Sequence, residues 1–218
     1  MSENSHLERR RSESDQIAHW HGQLGDDYAD RNAFEEWKIE PGKKAFQRML
    51  GDRVVDSVLE VGSNIGLNLI YLTDLLKDGV DFFAVEPNRK AFSTLIAEKR
   101  ISLKNAWNCN AFELPLANRA VDLVFTSGVL IHISPDDLGY ATDEIVRVAR
   151  KYVLCIEYFS HKPEQIIYRG RKGLLFKRDF GEFYINRYPG LKWIDYGFLW
   201  QREFKVFDNL NWWLFQKQ

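Results

Sequence analysis

The chain has 218 residues, of which 45% are hydrophobic, and its formal net charge is −1. This length predicts one domain with an elaboration, and the hydrophobic content is enough for a sizeable core. The near-zero charge argues against general binding to nucleic acid backbones. No run approaches the roughly 18 apolar residues that a membrane span needs.

The first 50 residues predict a flexible end and then a helical cap. Residues 1–16 are charged and lack the apolar stretch of a secretory signal, so we expect a flexible N-terminus there. Residues 17–50 form the predicted cap, and its second part, Ala33 to Met49, has an amphipathic helical pattern. Pro41 should divide that pattern into two pieces, because proline has no N–H to donate inside a helix.

Strands alternate with helices from Val54 to Phe159. This alternation predicts an α/β domain, residues 51–218, with a mainly parallel sheet that helices cover on both faces. The predicted strands are VVDSVLEV, DFFAVEP, NAWNCNAF, VDLVFTSGVL and KYVLCIEYF.

The pattern changes after Phe159. Residues 160–190 are basic and aromatic without a clear period, and we interpret them as an insert. Two strand-like runs, LKWIDYGFLW and LNWWLFQKQ, follow with a short polar link between them, which predicts an antiparallel pair.

A glycine turn, GSNIG, stands between the first predicted strand and an apolar run that suits a helix. Strand, glycine turn and helix in this order present backbone N–H groups to nucleotide-like ligands. Asn64 replaces the middle glycine of the dinucleotide fingerprint, and its side chain obstructs a pyrophosphate. The turn therefore favours S-adenosylmethionine, which carries no phosphate, and its predicted cofactor-binding residues are Glu60, Gly62, Ser63, Asn64 and Gly66.

Further cofactor candidates stand at the ends of later strands. Glu86 ends the second strand, where a carboxylate can accept hydrogen bonds from both ribose hydroxyls. Asn110 ends the third, where its amide could meet the adenine edge. Phe112 or Ile65 could pack on the adenine or simply fill the core. The other candidates at these ends are Pro87, Ala111, Ser127 and Gly128.

The block from Val58 to Phe159 resembles a class I S-adenosylmethionine-dependent methyltransferase. A finer resemblance, over most of the chain after about residue 17, is to the pseudaminic acid biosynthesis-associated methylase family. It is carried by LEVGSNIGLNL, AVEPN, SGVLIHISPDDL, IEYFSHKPEQIIYRG, LFKRDFG and DYGFLW…NWWLF.

The resemblance implies a Rossmann-like seven-stranded sheet whose last strand is antiparallel. It implies that S-adenosylmethionine is converted to S-adenosylhomocysteine, in a bacterial cytoplasmic enzyme acting near nonulosonic acid or other surface-sugar biosynthesis. Methyltransferases with a similar N-terminal cap place a tyrosine and an arginine over the cofactor. By resemblance, Tyr28 and Arg31, with the adjacent Asn32, would cover the methionine end, where a guanidinium can bind the carboxylate.

Three residues near the fourth and fifth strand ends are candidates for the reaction site. His132 could take a proton from a substrate hydroxyl, since imidazole titrates near neutrality, or it could support the turn before Pro135. Tyr158 could donate to the substrate. Glu157 should also face the site, with an arginine of the insert as partner, because an unpaired buried carboxylate is unfavourable.

The insert supplies cations among aromatic side chains. Arg169, Lys177 and Arg178 could bind an anionic acceptor, with nucleic acid disfavoured by the overall charge; otherwise the insert is a solvated loop. No spacing suits a metal, and the distant Cys109 and Cys155 favour a reducing compartment.

Two acceptor chemistries and two other functions remain open from the sequence. The acceptor could be a hydroxyl of a surface sugar or nonulosonic acid intermediate, or the carboxylate of a small natural-product acid. A non-catalytic cofactor-binding partner protein and a nicotinamide oxidoreductase are the alternatives of other classes. We expect a small anionic acceptor, no nucleic acid or membrane partner, and a monomer or homodimer.

Overall fold

The structure is a computed structural model that describes residues 15–218, with side chains described from residue 18 onward. The expectation of flexibility for residues 1–16 falls almost entirely outside these residues. The helices are α1 (Asp15–His21), α2 (Gln23–Arg31), α3 (Ile39–Leu50), α4 (Leu67–Leu75), α5 (Arg89–Ala97), α6 (Leu138–Val148), α7 (Phe180–Arg187) and α8 (Gln201–Phe204). Short 3₁₀ turns cover Glu36–Lys38 and Leu130–His132.

Seven strands form one mixed sheet in the order β3-β2-β1-β4-β5-β9-β8. Strands β1 to β5 pair with one another in parallel, and β9 runs antiparallel between β5 and β8. The predicted fold class, including the antiparallel last strand, is confirmed. The strands are β1 (Ser57–Val61), β2 (Asp81–Val85), β3 (Leu103–Trp107), β4 (Val121–Ser127), β5 (Ala149–Glu157), β6 (Glu164–Tyr168), β7 (Arg171–Lys177), β8 (Leu191–Leu199) and β9 (Leu210–Lys217).

Hydrophobic clusters cover both faces of the sheet. All of β1 and nearly all of β4 are buried, as expected for central strands covered on both sides. One cluster contains Phe46 of α3 and Phe125 of β4, and the other contains Val124 of β4 and Tyr184 of α7. The carboxyl ends of the parallel strands therefore open at one edge of a rigid core.

Two predicted boundaries differ from the structure. The third strand ends at Trp107, because Asn108 turns the chain and donates from Nδ2 to the carbonyls of Glu86 and Pro87. Pro41 lies in the first turn of α3, where its missing N–H removes no helical hydrogen bond. The helical break therefore falls before Pro41, at the 3₁₀ turn.

The insert is more regular than its sequence suggested. Strands β6 and β7 form an antiparallel hairpin whose two turn residues, Arg169 and Gly170, both have positive φ. This geometry is common in two-residue hairpin loops. Asp179 then accepts a hydrogen bond from the Glu182 N–H and caps α7.

Within residues 15–218, no helix combines the length and apolar character needed to cross a membrane.

Candidate active site

A cavity of about 700 Å³ opens at the carboxyl ends of β1, β2 and β4. This volume is in the range of small-molecule sites. Its floor is the glycine turn and the strand ends. Three segments cover the cavity, and we call them the peripheral walls. They are the α1–α2 segment (residues 15–32), the β6–β7 hairpin (164–177) and the 201–210 loop, which begins with α8.

The glycine turn is shaped by close approach and by left-handed backbone. Gly62 has φ 80°, and a Cβ there would lie 2.5 Å from Cγ2 of Val129. Gly66 has φ 86° but does not line the cavity. Asn64 has φ 47°, a region that asparagine enters more readily than most residues. Asn64 therefore adopts the left-handed backbone conformation that the turn requires, at the position where the dinucleotide fingerprint has a glycine.

Backbone N–H groups of the turn are committed within the protein. Gly62 and Ser63 donate to the Val85 carbonyl at 2.8 and 2.9 Å, and Gly66 donates to the Ser63 carbonyl. Asn64 donates to the carboxylate of Glu86 at 2.7 Å. The expectation that the turn offers its backbone N–H groups to a ligand is wrong for these four. Three of them bond to Val85 or Glu86 at the end of β2, and the fourth bonds within the turn.

Glu86 connects the glycine turn to the start of α5. Its Oε2 accepts from Asn64, and its Oε1 accepts from the Asn88 N–H at 2.7 Å. Burial raises the pKa of this carboxyl to about 7. Each oxygen keeps a second lone pair, so the carboxylate can still receive two hydroxyls.

Glu60 places a carboxyl group on the cavity floor, and one oxygen of this group lacks a hydrogen bond among the described residues. Its Oε1 accepts from Nδ2 of Asn68 at 2.7 Å, while Oε2 has no hydrogen-bond partner among the described residues. Burial raises the pKa of the group well above its usual range. An unpaired buried oxygen of this kind is suited to a cationic donor.

The expected adenine side also lies on the cavity. Asn110 accepts the Phe112 N–H through Oδ1 at 2.9 Å, which fixes the orientation of its amide. Asn108 was not predicted for the site. Its Nδ2 donates a hydrogen bond to the Glu86 carbonyl, just after the end of β2. The other predicted cofactor residues that line the cavity here are Pro87, Ala111, Ser127 and Gly128.

The α1–α2 segment places Tyr28, Arg31 and Asn32, three of the predicted cofactor residues, on the lining of the cavity. The guanidinium carbon of Arg31 lies 5.5 Å from the Tyr28 ring centroid, and Nδ2 of Asn32 donates to the Tyr28 carbonyl. Trp20 was not predicted for the site. Its ring centroid lies 5.6 Å from that of Tyr28 and 4.5 Å from that of His132.

His132 lies between Trp20 and Tyr168. Its Nδ1 is 2.6 Å from the Leu174 carbonyl oxygen, which can only accept, so Nδ1 carries the proton and Nε2 keeps a lone pair. Burial lowers the pKa of the imidazole to about 4. At neutral pH, His132 is therefore an uncharged hydrogen-bond acceptor at the cavity.

Tyr158 lines the cavity together with Lys177 and the 201–210 loop. Its hydroxyl donates to Asp208, and Nζ of Lys177 lies 4.8 Å from its ring centroid. Burial raises the pKa of Tyr158 above its usual value. Asp208 and Lys205 were missed because their loop had the pattern of a simple polar link.

Three predicted substrate residues do not line the cavity. Glu157 is buried, and its oxygens accept from the N–H groups of residues 129–131 at 3.0 to 3.4 Å. These amides replace the expected arginine partner. Arg169 occupies the hairpin turn, and the guanidinium carbon of Arg178 lies 4.5 Å from the Phe183 ring centroid. Lys177 is thus the predicted insert cation that reaches the cavity.

The part of the chain that the structure describes holds no cluster of three or more His, Cys, Asp or Glu side chains that could bind a metal. Cys109 and Cys155 are both free thiols there, and Cys155 is buried in β5.

Residues 59–156 match a protein family described as a methyltransferase domain. No curated protein sequence matches the chain. Among solved structures, the chain is similar to 1,6-didemethyltoxoflavin-N1-methyltransferase of Burkholderia thailandensis, crystallised with 1,6-didemethyltoxoflavin and S-adenosylhomocysteine. The identity is 18%, the TM-score is 0.65, and the alignment covers 100% of this chain and 91% of that one.

Two further solved structures share the fold. Magnesium protoporphyrin IX methyltransferase from Synechocystis PCC 6803, with S-adenosylmethionine bound, is 10% identical with a TM-score of 0.65, over 95% of this chain and 99% of that one. An S-adenosylmethionine-dependent methyltransferase from Aquifex aeolicus is 15% identical with a TM-score of 0.60, over 85% and 100%. The match of residues 59–156 to a methyltransferase domain, the sheet topology and the cavity at the strand ends together support a methyltransferase of the class I, Rossmann-like fold.

Proposed function

We propose that the protein transfers a methyl group from S-adenosylmethionine to a small anionic acceptor, a hydroxyl of a surface sugar or nonulosonic acid intermediate. The observation that carries the cofactor assignment is the row of Glu60, Glu86 and Asn110 along the cavity floor, with Oε2 of Glu60 unpaired among the described residues. The solved neighbours that hold S-adenosylmethionine or S-adenosylhomocysteine support it.

Each part of the cofactor has a partner of suitable chemistry. The ammonium group would lie at Glu60 and the carboxylate near Arg31. The ribose hydroxyls would donate to Glu86, and the adenine would lie near Asn110 and Phe112. The committed amides of the glycine turn disfavour a pyrophosphate, and with it a nicotinamide cofactor.

The chain's own contribution to the reaction is alignment and proton removal. When bound, S-adenosylmethionine would supply an activated methyl group, because its positively charged sulfur becomes a neutral leaving group. Nε2 of His132 would take the hydroxyl proton, because Leu174 holds the proton of the imidazole on Nδ1. The acceptor would be held among Trp20, Tyr168 and Tyr158, with Lys177 near its negative charge.

One observation favours a second acceptor chemistry. The pKa of His132 is lowered to about 4, which weakens it as a base for an unactivated hydroxyl. A carboxylate acceptor is already deprotonated and needs no base, so methylation of a small acid is the second candidate.

The remaining features of the proposal concern the chain as a whole. Residues 17–50 would serve as a helical cap on a methyltransferase domain, residues 51–218, with a substrate-binding insert at about 160–190. The resemblance to the pseudaminic acid-associated methylases supports a bacterial, cytoplasmic enzyme. A monomer or homodimer is proposed for the chain.

Calorimetry with S-adenosylhomocysteine tests the cofactor assignment. We expect a dissociation constant in the micromolar range, about −8 kcal/mol, and no binding of a nicotinamide dinucleotide. If the nicotinamide dinucleotide gave a heat of binding and S-adenosylhomocysteine gave none, the cofactor assignment would be wrong. Turnover with panels of nonulosonic acids and small carboxylic acids separates the two acceptor classes, and cofactor binding without turnover of any acceptor would favour a non-catalytic partner protein.

A further inference from the structure

Asn88 has every hydrogen-bonding group of its side chain committed. Its Oδ1 accepts from the Ala91 N–H at 2.8 Å and so caps α5. Its Nδ2 donates to Asp26 Oδ1 at 2.8 Å and to the Trp20 carbonyl at 3.1 Å. Only 2% of the residue is exposed. A helix cap requires the first of these bonds, whereas the other two reach into the α1–α2 segment.

The backbone of Asn88 extends this connection to the cofactor site. Its N–H donates to Oε1 of Glu86, the carboxylate assigned to the ribose. One residue therefore contacts both the ribose-binding group and the segment that roofs the cavity.

The α1–α2 segment is shaped to accept this contact. Gly25 is buried, and a Cβ there would lie 2.0 Å from the Trp20 carbonyl oxygen and 2.7 Å from Nδ2 of Asn88. Any side chain at this position would force the segment away from Asn88. The ion pair between Lys90 and Asp30, which also joins the segment to α5, is solvent-exposed and so contributes little.

The position of the segment in turn determines one wall of the acceptor space. The ring of Trp20 contacts His132, the proposed base, and also contacts Tyr28. If Trp20 moved away, the imidazole would lose a covering ring and the cavity would open to water.

We infer that Asn88 is a positioning residue that couples occupancy of the ribose site to closure of the α1–α2 segment over the acceptor space. This inference rests on the proposed function, because it requires a ribose at Glu86. Ribose hydroxyls favour the ionised carboxylate, which is the stronger acceptor for the Asn88 N–H. The bond holds Asn88 in place, and its side-chain amide then holds Trp20 and Asp26.

Three variants separate this role from helix capping. Asn88→Ser keeps a side-chain oxygen that can cap α5 but is too short to reach Asp26 and Trp20. Asp26→Ala removes the acceptor from the other side and leaves Asn88 intact. Asp26→Asn is the matched control, because its amide oxygen still accepts from Nδ2 of Asn88.

Amide hydrogen exchange of residues 18–31, with and without saturating S-adenosylhomocysteine, is the measurement. In the wild type we expect the ligand to slow exchange of this segment about tenfold or more. In Asn88→Ser and Asp26→Ala the ligand should slow exchange less than about twofold, and its affinity should fall by no more than the wild-type protection factor, because the coupling is reciprocal. Asp26→Asn should behave as wild type, and the double variant Asn88→Ser/Asp26→Ala should be no worse than either single one.

Full protection of residues 18–31 in Asn88→Ser would overturn the inference, since the segment would then close without the bridge. A loss of affinity in that variant that clearly exceeds the wild-type protection factor would overturn it also, because Asn88 would then serve the cofactor site itself. If the wild type bound no S-adenosylhomocysteine, the proposed function would fail first and the coupling with it.

Discussion

Glu86 combines a raised pKa with a proposed role that depends on its charge. Burial raises the pKa of its carboxyl from 4.5 to about 7. The folded state thus binds the proton more tightly than the unfolded state does. The stability contributed by this tighter proton binding is therefore lost as the pH rises from about 4.5 through 7.

The affinity for S-adenosylhomocysteine should show the opposite pH dependence. Ribose hydroxyls favour the ionised carboxylate, so we expect the affinity to fall by up to about tenfold per pH unit below 7 and to level off above it. Calorimetry across this range measures it. Glu86→Gln should bind more weakly at pH 8 by about 1.5–3 kcal/mol and lose the pH dependence below 7. If the affinity of Glu86→Gln depended on pH as the wild-type affinity does, Glu86 would not be the residue that binds the ribose.

His132 distinguishes the two acceptor chemistries. As a base for a hydroxyl acceptor it should contribute about 10²–10⁴-fold to kcat, whereas a carboxylate needs no base. We expect His132→Ala to lower kcat by that factor with a hydroxyl acceptor and to keep the wild-type affinity for S-adenosylhomocysteine. Full kcat in the variant would mean that His132 only lines the cavity.

At the scale of elements, the β6–β7 hairpin offers a matched pair of lysines. Lys177 lines the cavity, while Lys172 is exposed on the same strand. We expect Lys177→Met to raise the KM of an anionic acceptor about tenfold and Lys172→Met to leave it unchanged, because only the first removes charge from the site. Steady-state kinetics measures both. Equal effects would indicate that the hairpin acts through its overall charge.

Elements with strong local patterns were predictable. Strands β1, β4 and β5 are apolar runs, and β2 ends just before Pro87, so both position and type followed from the sequence. The hairpin was missed because β6 is mostly exposed, β7 is buried only at Leu174 and Leu175, and neither strand has a clean alternation of buried and exposed residues. Its turn also places Arg169 at a positive φ, where sequence patterns predict glycine or asparagine.

The same contrast holds in the site. Glu60, Glu86 and Asn110 could be predicted because parallel strands end at one edge of the sheet. Trp20 and Asp208 could not, because they meet His132 and Tyr158 only through the packing of segments far apart in the chain. Arg169 and Arg178 had the expected charge, but the fold directs them elsewhere.

At the scale of the whole molecule, the contact between α7 and β9 joins the insert to the sheet. Gly181 lies so close to Trp213 that a Cβ would be 2.3 Å from its Nε1. We expect Gly181→Ala to lower the free energy of unfolding by about 1–3 kcal/mol, as overpacking does. Gly190, with no atom within 4 Å of an added Cβ, is the control, and Gly190→Ala should change it by less than about 0.5 kcal/mol. Urea unfolding measures both, and equal values would show that the helix shifts freely.

The division of the cavity into a sheet-borne floor and three peripheral walls has an evolutionary consequence. Mutations in the walls can exchange one acceptor for another while the floor, which would hold the methyl donor, is left intact. Lineages with this fold can therefore diverge in substrate before they diverge in chemistry. Such divergence would produce methyltransferases of one fold with very different acceptors. The names of two solved neighbours give a didemethyltoxoflavin and a magnesium protoporphyrin.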